Sequence, residues 1–195
     1  MKLADFNFYL KKPFGSFLAN LFQNLNLYVD LNYSTDSIVK SNRKSYQGGN
    51  VGIGIYNIEG IGQDVVFAHS RIHKGIISSD IESSFLLKNN WYKFAFIPED
   101  NENRFSAKYV DKKNHMIEVY EPGYWLRNVD TEYKIIEYIY KLIMNNIDES
   151  KKDTLEGEVH IYTELFCCPS CKEVVENSSN EFPNIEVNIY HSKEK

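Results

Sequence analysis

The segment from residue 130 to residue 190 constrains the fold most, because it alternates two helical stripes with two runs of period-two apolar residues. Thr131 to Asn146 puts Ile135, Ile136, Ile139, Leu142 and Ile143 on one helical face, with Asp130 or Thr131 available as its cap. Val159, Ile161 and Thr163 then alternate as a strand. A second helix is expected from about Pro169 to Asn180, and Ile185, Val187 and Ile189 form a last strand after Phe182-Pro183-Asn184. Helix, strand, helix, strand is the grammar of a parallel crossover, so helices cover the sheet and a site gathers at the carboxyl ends of the strands. Both helices begin on reactive side chains: Asp130-Thr131-Glu132 on the first, Cys167-Cys168-Pro169-Ser170-Cys171 on the second.

Pro169 suits the first turn of a helix, where its missing N–H would have no partner anyway. Cys168 and Cys171 then sit three residues apart on one face at the positive end of the helix dipole, which favours thiolates and a soft metal such as zinc. A catalytic zinc takes three protein ligands and keeps one position open, so two cysteines are one ligand short. Asp130 is the candidate third, and Glu132, offset from it by two residues, is the candidate proton carrier. Three cysteines, two of them adjacent, make a poor disulfide framework, so the pair reads as metal or redox chemistry in a reducing compartment.

A chain of 195 residues, 43% hydrophobic, can bury one good core. Its net charge of -5 sets up no global positive field toward nucleic acid, so any such contact must be local. Pro13 to Val29 is uncharged after Lys11 and Lys12, but Ser16, Asn20, Gln23, Asn24 and Asn26 make it too polar to cross a bilayer, and it has no clear signal-peptide cleavage site. No membrane span is expected.

Phe14, Phe17, Leu18, Leu21, Phe22 and Leu25 predict an amphipathic helix in the first forty residues. Ser34 to Gly49 resembles a linker, which places a boundary near residue 40, with an N-terminal helical segment over 1–40 and the main domain over 41–195. Val51, Ile53 and Ile55 alternate with Gly52, Gly54 and Tyr56 in a strand with one bulky and one thin face. Glu59-Gly60-Ile61-Gly62 turns the chain into a second strand over Asp64 to Ala68. The glycines at 48, 49, 52 and 54 do not make a phosphate-binding loop, because no Gly-Lys-Ser/Thr ending follows and the cluster runs into a strand. His69 and His73 follow at the strand end. Beyond them the sequence predicts a helix over Ser79–Lys88, strands near Trp91–Ile97, Phe105–Val110 and Met116–Tyr120, and a turn at Glu121-Pro122-Gly123. So long a connection can cover or shape a site.

Asp-x-Glu at one helix start and Cys-x-x-Cys at another is close to the zinc-deaminase signature H-x-E followed by P-C-x-x-C, with a carboxylate in place of the imidazole. Arg127 to Ile136, Ile161-Tyr162-Thr163-Glu164-Leu165 with Cys168-x-x-Cys171, and Phe182-Pro183-Asn184-Ile185 resemble the deaminase domains of bacterial polymorphic toxins. The resemblance to the Asp-x-Glu branch includes Gly49-Asn50-Val51, Asn57-Ile58-Glu59-Gly60 and Ala68-His69-Ser70, and covers about residues 44 to 191. It implies a three-layer, cytidine-deaminase-like α/β fold: a mixed sheet of about four to five strands, an N-terminal hairpin, and the two motif helices packed on the sheet. It implies Asp130, Cys168 and Cys171 as zinc ligands, Glu132 as the catalytic residue, and His69 and Ser70 as substrate-binding residues near the pocket mouth. It further implies hydrolytic deamination of a base in nucleic acid or a nucleotide, cytosine in DNA foremost. The setting would be a delivered antibacterial effector, expected monomeric, that is neutralised by an immunity protein. Cys167 departs from the family pattern, and a register in which it also touches metal stays open.

Each motif alone has a plainer reading. Asp130 and Thr131 are ordinary cap residues, Glu132 a first-turn acid, and Cys-x-x-Cys a redox pair or half of a structural zinc site. The rival from another class is a non-catalytic binding module in which Cys168 and Cys171 join His69 and His73 in a closed Cys2His2 zinc site. Tyr124, Trp125, Tyr162 and Phe166 are the aromatic candidates for base stacking, and Lys44, Arg71, Arg127 and Lys172 those for phosphate.

Overall fold

The computed structural model describes residues 2–5, 49–73, 84–87, 90–99 and 102–191. Its main sheet joins seven strands, in chain order β1 (Lys2–Asp5), β2 (Val51–Ile58), β3 (Gly62–His69), β4 (Ser84–Leu87), β5 (Asn90–Phe94), β9 (Gly157–Thr163) and β10 (Ile185–His191). In space they run β1-β10-β9-β2-β3-β5-β4, so five central strands are extended at the edges by two four-residue strands. β9 and β10 are parallel across a helical crossover, as the periodicity predicts, while β2 lies antiparallel to both β3 and β9. The sheet is therefore mixed. Helix α1 (Thr131–Asn146) packs on β2, β3 and β9, and helix α2 (Pro169–Glu181) packs beside it against β10.

The thin face of β2 is what admits α1. A Cβ at Gly52 would lie 2.7 Å from the Thr131 Cβ, and one at Gly54 would lie 2.6 Å from Ile135 Cγ2, both far inside contact distance. Glycine at these positions lets the helix settle onto the strand. The helix buries Ile135, Ile136, Ile139 and Ile143, each contributing about 1.5–3 kcal/mol by leaving water. On the other side of the sheet Ile53, Phe67 and Phe94 are also buried, so both faces are withdrawn from water, as a three-layer α/β fold requires.

The hairpin between β2 and β3 turns on Gly60 and Gly62, at φ 73° and 102°, where a side chain would be strained. Between β5 and α1 the chain builds a small antiparallel sheet, β7-β6-β8, from β6 (Tyr109–Val110), β7 (Met116–Ile117) and β8 (Trp125–Leu126). The longer strands expected over 105–110 and 116–120 shrink to two residues each. The expected helix over Ser79–Lys88 is corrected as well: Ser84–Leu87 pairs with Asn90–Phe94 as a strand, because a short apolar run takes whichever partner the tertiary structure offers. β1, which pairs in parallel with β10, has no counterpart in the sequence expectations. The expected helix over Phe14–Leu25 and most of the linker lie outside the described residues.

Candidate metal and catalytic centre

The two motif helices start at the same end of the sheet. Gly52 pairs with Thr163 at the end of β9, and Thr131, the first residue of α1, lies directly over Gly52. From Thr163 the chain turns through residues 164–168 into α2, whose N-terminus lands beside that of α1. Asp130 holds the N-cap position of α1 in an extended conformation, yet its side chain makes no capping bond. Its carboxylate instead faces α2: Oδ2 accepts from the thiols of Cys168 at 3.2 Å and Cys171 at 3.4 Å. Cys168 caps α2, its sulfur accepting from the Cys171 N–H at 3.4 Å, with Pro169 next in the first turn.

One oxygen and two sulfurs thus converge within 4.8 Å of one another. This donor set fits a metal ion. All three atoms carry negative charge when ionised, both sulfurs are buried, and the Asp130 carboxylate has no capping duty to compete with ligation. The other carboxylate oxygen, Oδ1, lies 3.5 Å from Nη1 of Arg127, whose buried Nε has no hydrogen-bond partner among the described residues. Hydrogen bonds with Cys167 and Cys168, then burial and the charges of Asp130 and Glu132, hold the Cys171 thiol well above its ordinary range. A cation at the centre would reverse that balance.

Glu132 is 2% exposed and stands two residues on from Asp130 in the first turn of α1. Burial first, and the Asp130 charge after it, push its carboxyl up to about 7, while hydrogen bonds from Thr131 and Thr163 pull the other way. A carboxyl that changes state near neutrality suits general acid and base work.

Neither His69 nor His73 enters this three-donor group, so the described residues do not assemble a closed Cys2His2 site. His69 ends β3 at 3% exposure, and its Nδ1 accepts from the Arg71 N–H. Ser70 Oγ accepts from the Asn50 N–H at 2.7 Å. His73 Nδ1 lies 3.2 Å from the Lys134 amine, where an unprotonated ring nitrogen can accept. Cys167 is fully buried with its thiol 3.8 Å from the Cys168 carbonyl, outside the three-donor group.

Among the aromatic candidates, Tyr162 is corrected: it is buried and stacked on Tyr190, centroids 4.6 Å apart, on the sheet face away from the helices. Trp125 is 48% exposed on β8, with the Lys112 amine 5.9 Å from its ring centroid. Phe166 lies under the Lys172 amine at 4.6 Å.

Three features carry little signal in the sequence. Lys134, fully buried, donates to the carbonyls of His69 and Ile72, both at 2.7 Å, and so lashes the turn after β3 to α1. Burial pushes its amine down to about 7 against the pull of Asp130. Lys108 on the approach to β6 gives its N–H to Ser170 Oγ at 2.8 Å and takes the Arg127 N–H on its carbonyl at 3.1 Å. The small sheet is thus tied to both ligand-bearing helix starts. Asn50, at the entrance to β2, bonds Thr131 and Thr163. The only sequence hint of it was its place in the family resemblance.

Comparison with known proteins adds the family. Residues 34–193 match the Toxin-deaminase family model, described as the BURPS668_1122 family of deaminases. Searches of curated proteins and of solved structures returned no match. With most of its length covered by that one model, the chain belongs to the BURPS668_1122 family of toxin deaminases.

Proposed function

We propose that the chain is a zinc-dependent nucleobase deaminase that converts cytosine to uracil in nucleic acid, DNA foremost, as a delivered effector held in check by an immunity protein. The observation that carries this is the convergence of Asp130 Oδ2 on both cysteine sulfurs with buried Glu132 two residues away. Asp130, Cys168 and Cys171 would hold the ion. Bound there, the ion would supply the acidity that lets a water molecule attack the base at neutral pH. Glu132 would pass one proton of the attacking water to the ring nitrogen as the water oxygen bonds to C4, and then pass the second proton of that oxygen to the amine as the C4–N bond breaks. Water and cytosine then leave as uracil and ammonia, with no net redox change. Burial of Glu132 keeps bulk water from short-circuiting these transfers.

Support for nucleic acid over a free nucleoside comes from Trp125, whose exposed ring beside Lys112 combines the stacking face and local cation used in single-strand binding. The net charge of -5 makes such local pairs necessary. His69 and Ser70, on the turn that Lys134 anchors, would shape the wall of the base pocket.

The test is to incubate the zinc-loaded protein and its Glu132→Ala variant with single-stranded and duplex DNA, RNA and free cytidine, reading conversion by mass and sequencing. Cytosine-to-uracil conversion in DNA by the parent alone, with zinc retained in both proteins, supports the reading. Conversion by neither refutes it, and conversion by both refutes the role given to Glu132. Conversion of RNA or free cytidine instead would keep deamination and overturn the DNA assignment.

A further inference from the structure

Asn50 sits 8% exposed at the junction of β2, α1 and β9, and both hydrogens of its side-chain amide and one lone pair of its oxygen are committed. Nδ2 donates to Thr131 Oγ1 at 3.1 Å and to Thr163 Oγ1 at 2.7 Å. Oδ1 accepts the Leu165 N–H at 3.1 Å. That backbone donor settles which end of the amide is oxygen, since nitrogen there would face a donor with a donor. The main chain of Asn50 is held too, exchanging bonds with Ser70 through N–H to Oγ and carbonyl to N–H.

A hydroxyl has a single hydrogen. Once each threonine oxygen receives an amide hydrogen, its own hydrogen must go elsewhere, and both hydroxyls bond Glu132, Thr131 at 3.0 Å from Oε2. The amide therefore sets the direction of two further bonds it does not itself make. We infer that Asn50 is a positioning residue for Glu132: by donating to Thr131 and Thr163 it aims both hydroxyl hydrogens at the Glu132 side chain and fixes that chain beside Asp130, Cys168 and Cys171. With both amide hydrogens spent in this way, Asn50 is not free to bind substrate through them. Ser70 joins the same lattice through the Asn50 main chain.

This inference rests on the deaminase reading, and the test separates the two. Asn50→Asp keeps shape and the Leu165 bond but turns two donors into an acceptor, which draws the threonine hydrogens away from Glu132. Thr131→Val and Thr163→Val remove the hydroxyls without adding charge, and Thr131→Ser and Thr163→Ser restore them. For a catalytic group left loose by about an ångström, kcat is expected to fall roughly 10- to 100-fold in Asn50→Asp and in the double valine variant, with KM and zinc content held. The serine variants should recover most of what the valine variants lose. Adding Asn50→Asp to the double valine variant should cost little more, because residues acting through one network are not additive. The infrared carboxylate band of isotope-labelled glutamate gives a readout apart from turnover, and the Glu132 band should shift in Asn50→Asp and in the valine variants but not in the serine variants. Parental kcat and an unshifted band in the double valine variant would overturn the inference even if Asn50→Asp failed to fold, and so would a loss confined to KM. Absence of conversion by the zinc-loaded parent sinks the deaminase reading, whereas inactivity of Glu132→Ala with a fully active double valine variant sinks only this one.

Discussion

Gly52→Ala is the sharpest test of how the site is built. The added Cβ would lie 2.7 Å from Thr131 Cβ, 2.9 Å from Thr131 Oγ1 and 3.2 Å from Ile135 Cδ1. The first contact falls about 0.7 Å short of the 3.4 Å at which ordinary contact begins. Gly52 does not have a positive φ, so the penalty is steric and not conformational. Overpacking of this kind costs about 1–3 kcal/mol. Loss of glycine freedom in the unfolded chain offsets about 0.4–1 kcal/mol of that. The net is a destabilisation of about 1–2 kcal/mol, which for a protein of this size lowers Tm by roughly 2–8 °C. Turnover should fall further than stability explains, because the residue pushed aside carries the hydroxyl that bonds Glu132. A shift of the same size would stretch the Asn50–Thr131 bond, now 3.1 Å, past bonding length. Gly54→Ala is the control: it collides with Ile135 and Val66 and should lower Tm comparably while turnover per folded molecule survives better. Scanning calorimetry and a deamination assay on both variants decide the matter. A Gly52→Ala protein that melts and turns over like the parent would refute the seating of α1 on the thin face of β2.

Three further outcomes are expected. Lys134→Met leaves the buried carbonyls of His69 and Ile72 without a donor, which costs roughly 2 kcal/mol in urea unfolding and should expose the Arg71–Ile72 bond to trypsin; unchanged stability and resistance would contradict the lashing role. Burial, and then the Lys134 charge, push the His73 imidazole down to about 4 in the folded chain, while the unfolded chain titrates near 6.5. Between these values the unfolded state binds more protons, so this contribution to stability is present above pH 6.5 and is lost as pH falls toward 4; His73→Gln should flatten that limb of a pH-stability curve. Arg127→Ala removes the cation beside Asp130 Oδ1 and should weaken zinc binding roughly 10- to 100-fold in competition with a chelator; equal affinity would show that Arg127 does not orient the ligand.

The parts that were readable along the chain are those whose causes are local. The starts of both motif helices fall where a polar residue or Pro169 precedes a helical stripe, and the observed helices begin at Thr131 and Pro169 as expected. β9 and β10 follow from alternation, and their parallel pairing from the helix between them. The glycine alternation in β2 marks a thin face, and α1 fills it. The types of donor at the centre, one carboxylate, two thiols and an acid two residues on, are likewise a matter of composition and spacing.

Where pairing is distant, local pattern gave no guidance. Ser84–Leu87 has the composition of either element and became a strand because Asn90–Phe94 offers it an edge. The two-residue strands around Tyr109, Met116 and Trp125 are too short for any period to register. A lysine inside the α1 pattern reads as a solvated charge, yet Lys134 is buried because carbonyls 62 and 65 residues away accept its hydrogens. Asp130 stands by position as either a cap or a ligand, and only its contacts with two sulfurs of the other helix start show which duty its carboxylate has left. Residue identity and spacing set which groups are present and which helix ends they occupy. Whether each polar group is capped, paired or left to hold an ion depends on partners remote in the chain, because a hydrogen bond is decided by distance in space and burial makes each unmet one costly.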